Sequence, residues 1–268
     1  VSYVLSGKRP ISAQTKARVQ ASIRELGYQP HAGARSLAGR RTNVIALVMP
    51  LRVGVHVPVV MQFMTAVVTR ARELDNDVLV LTSDEAKDLQ RVHERSLADA
   101  LLVMDIEMHD ARLPALRRVR TPSVLIGFPA DGTGLTCIDL DFTAAGAACV
   151  DHLADLGHTT IGLIGSPYEV YRRETGYATR VATGIRRAAR RRGVEASSHA
   201  CDPTPSGIRR AIGDLLDQHP SMTGLIVHNE AVIEPLLGTL REHGRRLPDD
   251  MSVVAIAPED LAVRFDLT

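Results

Sequence analysis

The sequence lacks several features that mark other classes of protein. It has no tryptophan, and its three cysteines, Cys137, Cys149 and Cys201, show no CxxC spacing. An odd number of widely spaced cysteines indicates neither a disulfide framework nor a zinc site, so we expect small core residues. No run approaches the ~18 apolar residues of a membrane span, and no signal peptide opens the chain. We therefore expect a cytoplasmic protein with no membrane partner.

Motifs of enzymes and cofactor-binding proteins are also missing. There is no GxGxxG after the first apolar run, no Walker loop, no GxSxG and no His/Cys cluster with ligand spacing. Ser166-Pro167 is typical of a turn after a strand, and His152 and His158 do not share a helical face. A sugar-modifying enzyme would need an acid/base pair at a recognisable spacing. We predict no catalysis, no cofactor and no metal.

Charge is divided unevenly along the chain. Residues 1–41 carry a net charge of +7 and the remaining residues −6, although the whole chain is near neutral at +1. A short, strongly basic segment is an electrostatic footprint for a polyanion, whereas a mildly acidic body is typical of a solvated domain. The alternative is that the basic stretch is only a solvated face.

Local signals in the basic segment predict short helices separated by breaks. Residues 1–5 resemble the interior of a helix, and Ser12 is a good N-cap for a helix over residues 15–26 with Val19, Ile23 and Leu26 on one face. A further short helix is predicted after Pro30, before Gly39.

The rest of the chain alternates apolar strands with amphipathic helices. Strands are predicted at 44–49, 78–82, 100–104, 123–127, 160–165, 224–227 and 252–256. Helices are predicted at 59–74, 89–97, 113–119, 143–156, 179–192, 208–218 and 232–243. This alternation predicts right-handed crossovers and doubly wound parallel sheets, in two similar lobes.

Ordered motifs in the basic segment resemble the headpiece and hinge of the LacI/GalR family of transcriptional repressors. They are Val1 to Gly7, Ile11 to Thr15, Glu25 to Pro30, Ala34 to Leu37 and Arg41 to Asn43. The segment His152 to His158, followed by Ile161 to Gly165, resembles the family's crossover into its second subdomain. The resemblance implies an α/β, periplasmic-binding-protein-like effector domain of two lobes, preceded by an all-α helix-turn-helix headpiece and a hinge helix.

Four segments follow from this resemblance. They are the end of the headpiece at 1–30, the hinge helix and linker at 31–43, and two effector-binding lobes at 44–141 and 142–268. The family headpiece begins before the residue aligned with Val1, and the family continues beyond Thr268. We therefore expect the sequence to lack both the start of the headpiece and the end of the lobes.

The resemblance also implies which residues contact DNA. Tyr3 matches a position that reads base edges in the major groove, and Leu37 matches a leucine that wedges between base pairs in the minor groove and kinks the duplex. Where His31 stands, the family usually has asparagine. The expected DNA-contacting residues are Ser2, Tyr3, Ser6, Ser12, Thr15, Tyr28, His31, Ala34 and Leu37.

An effector site is expected between the lobes, where ligands of doubly wound sheets bind. Arg173, Asn229 and Asp141 match the family's effector-contacting positions, although Arg173 could be a surface arginine and Asp141 a helix N-cap. Val59 and Val60 replace an aromatic pair that the family often carries there, and Ala257-Pro258 replaces an aspartate motif. The expected effector-binding residues are Arg173, Asn229, Asp141, Val59, Val60 and Phe128, with His56, Phe63 and Tyr171 as further candidates.

The function implied is that of a homodimeric repressor. Two headpieces would bind a palindromic operator in double-stranded DNA, and a small-molecule effector, a sugar by resemblance, would control operator affinity from the cleft between lobes. The alternative is a two-lobed sugar-binding sensor without a DNA function. The basic headpiece favours the repressor.

Overall fold

The computed structural model describes residues 3–4, 10–26, 41–52 and 54–267. The chain divides into two compact units, Val1–Thr42 and Asn43–Thr268. No helix in the described part of the chain is long and apolar enough to cross a membrane.

The N-terminal unit contains helix α1, Ala13–Glu25. The Ser12 hydroxyl accepts a hydrogen bond from the Thr15 backbone N–H at 3.3 Å, so Ser12 is the N-cap, as predicted. Val19 and Ile23 are half-buried. Leu26 is wrongly predicted to belong to the same apolar face, because it is the C-cap of the helix and 78% exposed. The predicted short helix after Pro30 lies outside the described residues.

The second unit contains two parallel sheets. The first comprises β1 Val44–Val48, β2 Asp77–Leu81, β3 Ala100–Val103, β4 Ser123–Ile126 and β5 Thr136–Ile138, in the spatial order β2-β1-β3-β4-β5. The second comprises β6 Thr160–Gly165, β7 Glu195–Ala200, β8 Gly224–Val227 and β9 Ser252–Ala255, in the order β7-β6-β8-β9. Every strand pair is parallel, which confirms the predicted α/β class.

Each strand except β4 is followed along the chain by at least one helix. In the first lobe the helices are α2 Val57–Glu73, α3 Ala86–Glu94 and α4 Leu113–Arg118. In the second lobe they are α5 Phe142–Asp155, α6 Tyr168–Arg172, α7 Gly176–Arg192, α8 Pro205–Gln218, α9 Ile233–Glu242 and α10 Glu259–Phe265, with a 3-10 turn at Glu230–Val232. The central strands are buried runs of aliphatic residues because helices cover the sheets.

Each lobe has its own apolar core. In the first lobe, Ala46, Leu101, Val103 and Leu125 from the sheet pack with residues of α3 and α4. In the second lobe, separate clusters lie beneath α8 with α9 and beneath α5 with α7. Cys149 and Cys201 are buried in the second lobe and Cys137 is half-buried in the first; all three are free thiols.

Two glycines allow α5 and α7 to approach closely. A Cβ at Gly146 in α5 would lie 2.5 Å from the Val181 carbonyl oxygen, and one at Gly184 in α7 would collide with the Thr143 carbonyl. Neither glycine has a positive φ, so contact between the helix backbones rather than turn geometry requires them.

Four elements are absent from the sequence-based prediction. Strands β5 and β7 lie at sheet edges, and β7 is largely exposed and polar, so neither shows the apolar run of a central strand. Helix α6 has five residues and α10 seven, too few to show a clear helical period.

Candidate functional site

A cavity of about 460 Å³ lies between the two lobes of the second unit. Its lining residues follow the carboxyl ends of strands from both sheets: Met49, Asp105, Gly127 and Asp139 from the first, and Ser166, His228 and Ile256 from the second. Ligands of parallel α/β sheets bind at this edge, and the volume suits a small molecule.

Part of the wall from the first lobe is apolar. This part includes Val55, Val59, Val60 and Phe63 from the start of α2 and the loop before it, together with Ile126 at the end of β4. Pro58 lies in the first turn of α2, where the missing N–H costs no intrahelical hydrogen bond. The side chains of this part of the wall offer no hydrogen bonds to a ligand.

An aromatic cluster contributes to the wall from the second lobe. The His228 ring lies 5.8 Å from Phe142 and 5.7 Å from Tyr177, the latter edge-on, and Phe142 and Tyr177 are 5.9 Å apart. His228 is 4% exposed, and burial lowers its pKa to about 4, so the ring is neutral at pH 7. Its buried Nδ1 has no hydrogen-bond partner among the described residues.

Three carboxylates line the cavity: Asp105 after β3, Asp139 after β5 and Glu230 after β8. Burial raises the pKa of Asp139 and of Glu230 above the usual range. Asp105 has a φ of 54°, an uncommon left-handed conformation for a residue other than glycine. The described residues contain no group of three His, Cys, Asp or Glu side chains that could hold a metal ion.

Two arginines neutralise carboxylates beside the cavity. Arg52 Nη1 lies 3.0 Å from Asp105 Oδ2 and 2.9 Å from Glu107 Oε1. Arg173 Nε lies 3.5 Å from Glu107 Oε1, and Arg173 Nη2 lies 4.0 Å from Asp105 Oδ2. Burial raises the pKa of Glu107 although both arginines oppose that shift. Neither arginine is among the lining residues.

Backbone hydrogen bonds join the lobes beside this cluster. The Met108 N–H donates to the Glu174 carbonyl at 2.8 Å, and the Gly176 N–H donates to the Ile106 carbonyl at 2.9 Å. Arg180 of α7 adds a hydrogen bond to the Phe128 carbonyl at 2.6 Å. We call residues 106–108 and 174–176 the lobe contact.

Asn229 lines the cavity and also holds strand ends together. Its Nδ2 donates to the Gly165 carbonyl at 3.0 Å and to the Cys201 carbonyl at 2.8 Å. Both amide hydrogens are therefore engaged, which leaves Oδ1 as the side-chain atom for a ligand.

The predicted effector residues fall into two groups. Val59, Val60 and Asn229 line the cavity, as do His56 and Phe63. Arg173, Asp141, Phe128 and Tyr171 are not among the lining residues. Asp141 is the N-cap of α5, with Oδ1 accepting from the Ala144 N–H at 2.9 Å, and the Phe128 ring lies 5.8 Å from the Arg180 guanidinium.

Sequence reasoning predicted His56 and Asn229 but missed other polar side chains that line the cavity. They are Asp105, Asp139, His228 and Glu230, together with Arg52 behind Asp105. The first three lie one or two residues beyond a strand, and Glu230 lies three beyond β8. A polar side chain just after a buried apolar run is the signal that would have found most of them.

Few of the predicted DNA-contacting residues belong to the described part of the chain. Tyr3 is helical and 52% exposed, and Ser12 and Thr15 are exposed, with their hydroxyl oxygens 2.9 Å apart. Ser2, Ser6, Tyr28, His31, Ala34 and Leu37 lie outside the described residues.

Comparison with known proteins gives related sequences. A periplasmic binding protein-like domain matches residues 150–267. The HTH-type transcriptional regulator DegA of Bacillus subtilis is 26% identical over 265 residues, which are 95% of this chain and 76% of DegA. GalR of Escherichia coli is 28% identical over 262 residues, 95% of this chain and 74% of GalR. These relatives are transcriptional regulators and not enzymes, which confirms the prediction of a transcriptional regulator rather than an enzyme.

Solved structures share the fold. The lac repressor dimer bound to operator and the anti-inducer ONPF has a TM-score of 0.78 at 22% identity, covering 97% of this chain and 79% of its own. A complex of the regulator CelR with cellobiose has a TM-score of 0.63 at 23% identity, with the same coverage. Together with the related sequences, these structures confirm the resemblance seen in the sequence: the chain is similar to LacI/GalR-type transcriptional regulators, and its two-lobed unit has a periplasmic-binding-protein-like α/β fold.

Proposed function

We propose that the protein is a sequence-specific DNA-binding repressor whose operator affinity is controlled by a sugar-class effector bound between its two lobes. It acts in the cytoplasm as a homodimer on a palindromic operator. The observation that carries the proposal is a cavity-bearing two-lobed unit following a short segment with a net charge of +7.

The basic segment supports the DNA-binding part of the proposal. Its charge suits phosphates, and Ser12 and Thr15 present exposed hydroxyls at the start of α1. By resemblance, residues 1–30 complete a helix-turn-helix headpiece and residues 31–43 form the hinge. Tyr3 reads bases, and the hinge inserts Leu37 into the minor groove beside His31 and Ala34.

The cavity supports the effector part of the proposal. Carboxylates and aromatic rings surround a space of about 460 Å³, and hydroxyl groups can donate to the former while sugar C–H groups pack on the latter. The names of relatives agree, because CelR was solved with cellobiose and the lac repressor with the ligand ONPF. Arg173 and Asp141 would reach an effector only if the lobes rearranged around it.

The lobe contact is where an effector would act on the equilibrium between conformations. A ligand shifts such an equilibrium only by its difference in affinity for the two states. An effector that binds both lobes changes their relative position about residues 106–108 and 174–176 and thereby the spacing of the hinges in a dimer.

The proposal is tested by fluorescence anisotropy of the full-length protein on palindromic DNA selected from a random library. We expect tight, sequence-specific binding with a steep salt dependence, shifted at least ~10-fold by an effector. Salt-sensitive binding without sequence preference would show that the basic segment binds DNA only nonspecifically. Sugar binding without DNA binding would establish the alternative, a sensor protein.

A variant in the hinge sharpens this test. Leu37→Ala removes the proposed wedge, and we expect operator affinity to fall by ~10-fold or more while effector binding is unchanged, because the two sites are separate. Ser36→Ala serves as the matched control on the adjacent residue. Operator affinity that is the same for Leu37→Ala and the parent would refute the role of Leu37.

A further inference from the structure

A serine, a histidine and a glutamate meet at the edge of the second sheet, away from the cavity. Ser197 and Glu195 belong to the edge strand β7, and His219 is the C-cap of α8. His219 Nε2 lies 2.5 Å from Ser197 Oγ, and His219 Nδ1 lies 3.5 Å from Glu195 Oε1. None of the three residues lines the cavity between the lobes. His219 is 22 residues from Ser197 in sequence, so the fold brings the group together.

The order of these contacts determines where the hydroxyl hydrogen of Ser197 points. An ionised carboxylate has no hydrogen to donate, so Glu195 favours the tautomer in which His219 carries its hydrogen on Nδ1. Nε2 of His219 then presents a lone pair, and the Ser197 hydroxyl donates to it. A serine hydroxyl that donates to an oriented imidazole is an activated nucleophile, because the imidazole takes the proton as the oxygen attacks.

Partial burial holds the histidine in place and leaves the serine accessible. The His219 side chain is 16% exposed, and the His219 N–H donates to the Leu215 carbonyl at 2.9 Å. Ser197 is half-buried, and the Glu195 side chain is 63% exposed. A small molecule can therefore reach the Ser197 hydroxyl from solvent while the imidazole keeps its orientation.

The open edge of β7 supplies a hydrogen-bond donor beside the serine. The Glu195 N–H donates to the Thr159 carbonyl at 2.9 Å, and the Cys201 N–H donates to the Ser166 carbonyl at 3.2 Å. Because successive residues of a strand alternate between its two sides, the N–H of Ser198 is directed away from β6. Within the described chain, no strand pairs with that side of β7. The backbone N–H after a nucleophilic serine is a donor that stabilises the oxyanion formed in acyl transfer.

We propose that Ser197 is a covalent modification site that accepts short activated acyl groups, with His219 as its general base and Glu195 as a positioning residue. The donor is an acyl thioester or an acyl phosphate. Ser197 Oγ attacks the carbonyl carbon, the hydroxyl proton passes to His219 Nε2, and the bond between that carbon and the leaving group breaks. The leaving thiolate or phosphate takes the proton from His219, so one serine ester forms per chain. The modification is stoichiometric and does not depend on DNA or effector binding.

Mass spectrometry with peptide mapping of the full-length protein tests the site. The probes are the thioester S-acetyl-N-acetylcysteamine and acetyl phosphate. We expect Ser197 to be acetylated at least ~100-fold faster than Ser198, the exposed serine next to it, which serves as the control within the same molecule. Acetylation of Ser197 by either probe supports the site, and the ratio of the two rates identifies the donor class. Equal rates at Ser197 and Ser198, or no acetylation of Ser197 by either probe, would overturn the proposal.

His219 needs a variant that removes the base but keeps a hydrogen bond to Ser197. In His219→Gln the amide can still bond to the hydroxyl, so we expect a Tm close to that of the parent protein and acetylation of Ser197 at least ~100-fold slower. An unchanged acetylation rate in His219→Gln would refute the general base. The three residues would then be only a structural link between α8 and β7.

Glu195 is tested by separating its charge from its contribution to stability. Glu195→Gln should slow the acetylation of Ser197 by ~10-fold or more, because the amide no longer favours the hydrogen on Nδ1 of His219. The Tm should not change, since the Glu195 side chain is largely exposed. Glu195→Asp restores a carboxylate and should recover part of the rate. Equal rates in the parent protein and both variants would show that Glu195 does not position the imidazole.

Discussion

At the scale of single residues, a buried ion pair stabilises the first lobe. Arg112 is 1% exposed, and its Nε and Nη2 donate to the Asp110 carboxylate at 2.9 Å and 2.7 Å. Arg112 Nη2 also donates to the carbonyls of Met104 and Asp105, at 3.1 Å and 2.9 Å. The pair therefore fixes the end of β3, from which Asp105 reaches the cavity.

We expect Asp110→Asn to lower the free energy of unfolding by about 3–5 kcal/mol, because it leaves the Arg112 charge buried without its counterion. Urea unfolding at pH 7 measures the loss. Asp131→Asn, which breaks the exposed pair with Arg117, is the control and should change stability far less. Equal losses for the two variants would contradict the importance of burial.

The same pair predicts an acid dependence of stability. Burial alone would raise the pKa of Asp110, but hydrogen bonds and the charge of Arg112 outweigh it, so the pKa lies below its usual range. Because its folded-state pKa is depressed, ionised Asp110 stabilises the fold at pH values above its unfolded-state pKa of about 3.9. This stabilisation is lost as the pH falls through the folded-state pKa. The parent protein should therefore lose this contribution below about pH 4, and Asp110→Asn should lack that part of the pH profile.

Residue types alone could not have revealed the site's polar side chains. Asn229, predicted from the family resemblance, lines the cavity, whereas His228 immediately before it lines the cavity but was not predicted. The burial of its Nδ1 and its contacts with the rings of Phe142 and Tyr177 involve residues that are far from it in sequence. Such a constellation exists only after folding.

At the scale of elements, the contact between α5 and α7 depends on their glycines. We expect Gly184→Ala to lower the free energy of unfolding by about 1–3 kcal/mol, since the new Cβ would collide with the backbone of Thr143. Thermal or urea unfolding measures the effect.

Gly213→Ala in α8 is the matched control. A Cβ there meets no atom within 4 Å, so the gain in helix propensity should stabilise the protein by about 0.5–1 kcal/mol. If Gly184→Ala and Gly213→Ala changed the free energy of unfolding equally, the close approach of α5 and α7 would be unimportant for stability.

Elements could be predicted from sequence where burial is greatest. The bounds of β6 and β8 are those predicted, because Thr160–Gly165 and Gly224–Val227 are buried throughout. The edge strand β7, Glu195–Ala200, is polar and mostly exposed, so it forms through pairing with β6 rather than through its own composition. The apolar period of α2 was visible in the sequence, but its start at Val57 was predicted two residues late, at Val59.

At the scale of the whole molecule, α2 presents an apolar stripe to solvent. Val57, Met61 and Val68 are 54%, 42% and 42% exposed and lie on one face of the helix. The proposed homodimer would bury this stripe against a second copy of the chain.

We expect Met61→Asp to weaken the dimer by ~100-fold or more, because association would bury an unpaired charge. Sedimentation velocity over a concentration series measures the change. Gln62→Asp adds the same charge at the adjacent exposed residue, on another face of α2, and should leave the dimer intact. A dimer that tolerates both substitutions uses another surface.

The placement of the cavity beyond the strand ends has a consequence for evolution and for engineering. Asp105, Asp139, His228 and Glu230 lie outside the strands, whereas the cores of both lobes consist mainly of residues within the strands and of the helices packed on them. If the cavity binds the proposed effector, substitutions at these positions should change ligand preference while the cores are preserved. The two lobes could serve as the scaffold of a biosensor in which these four positions after the strands are randomised.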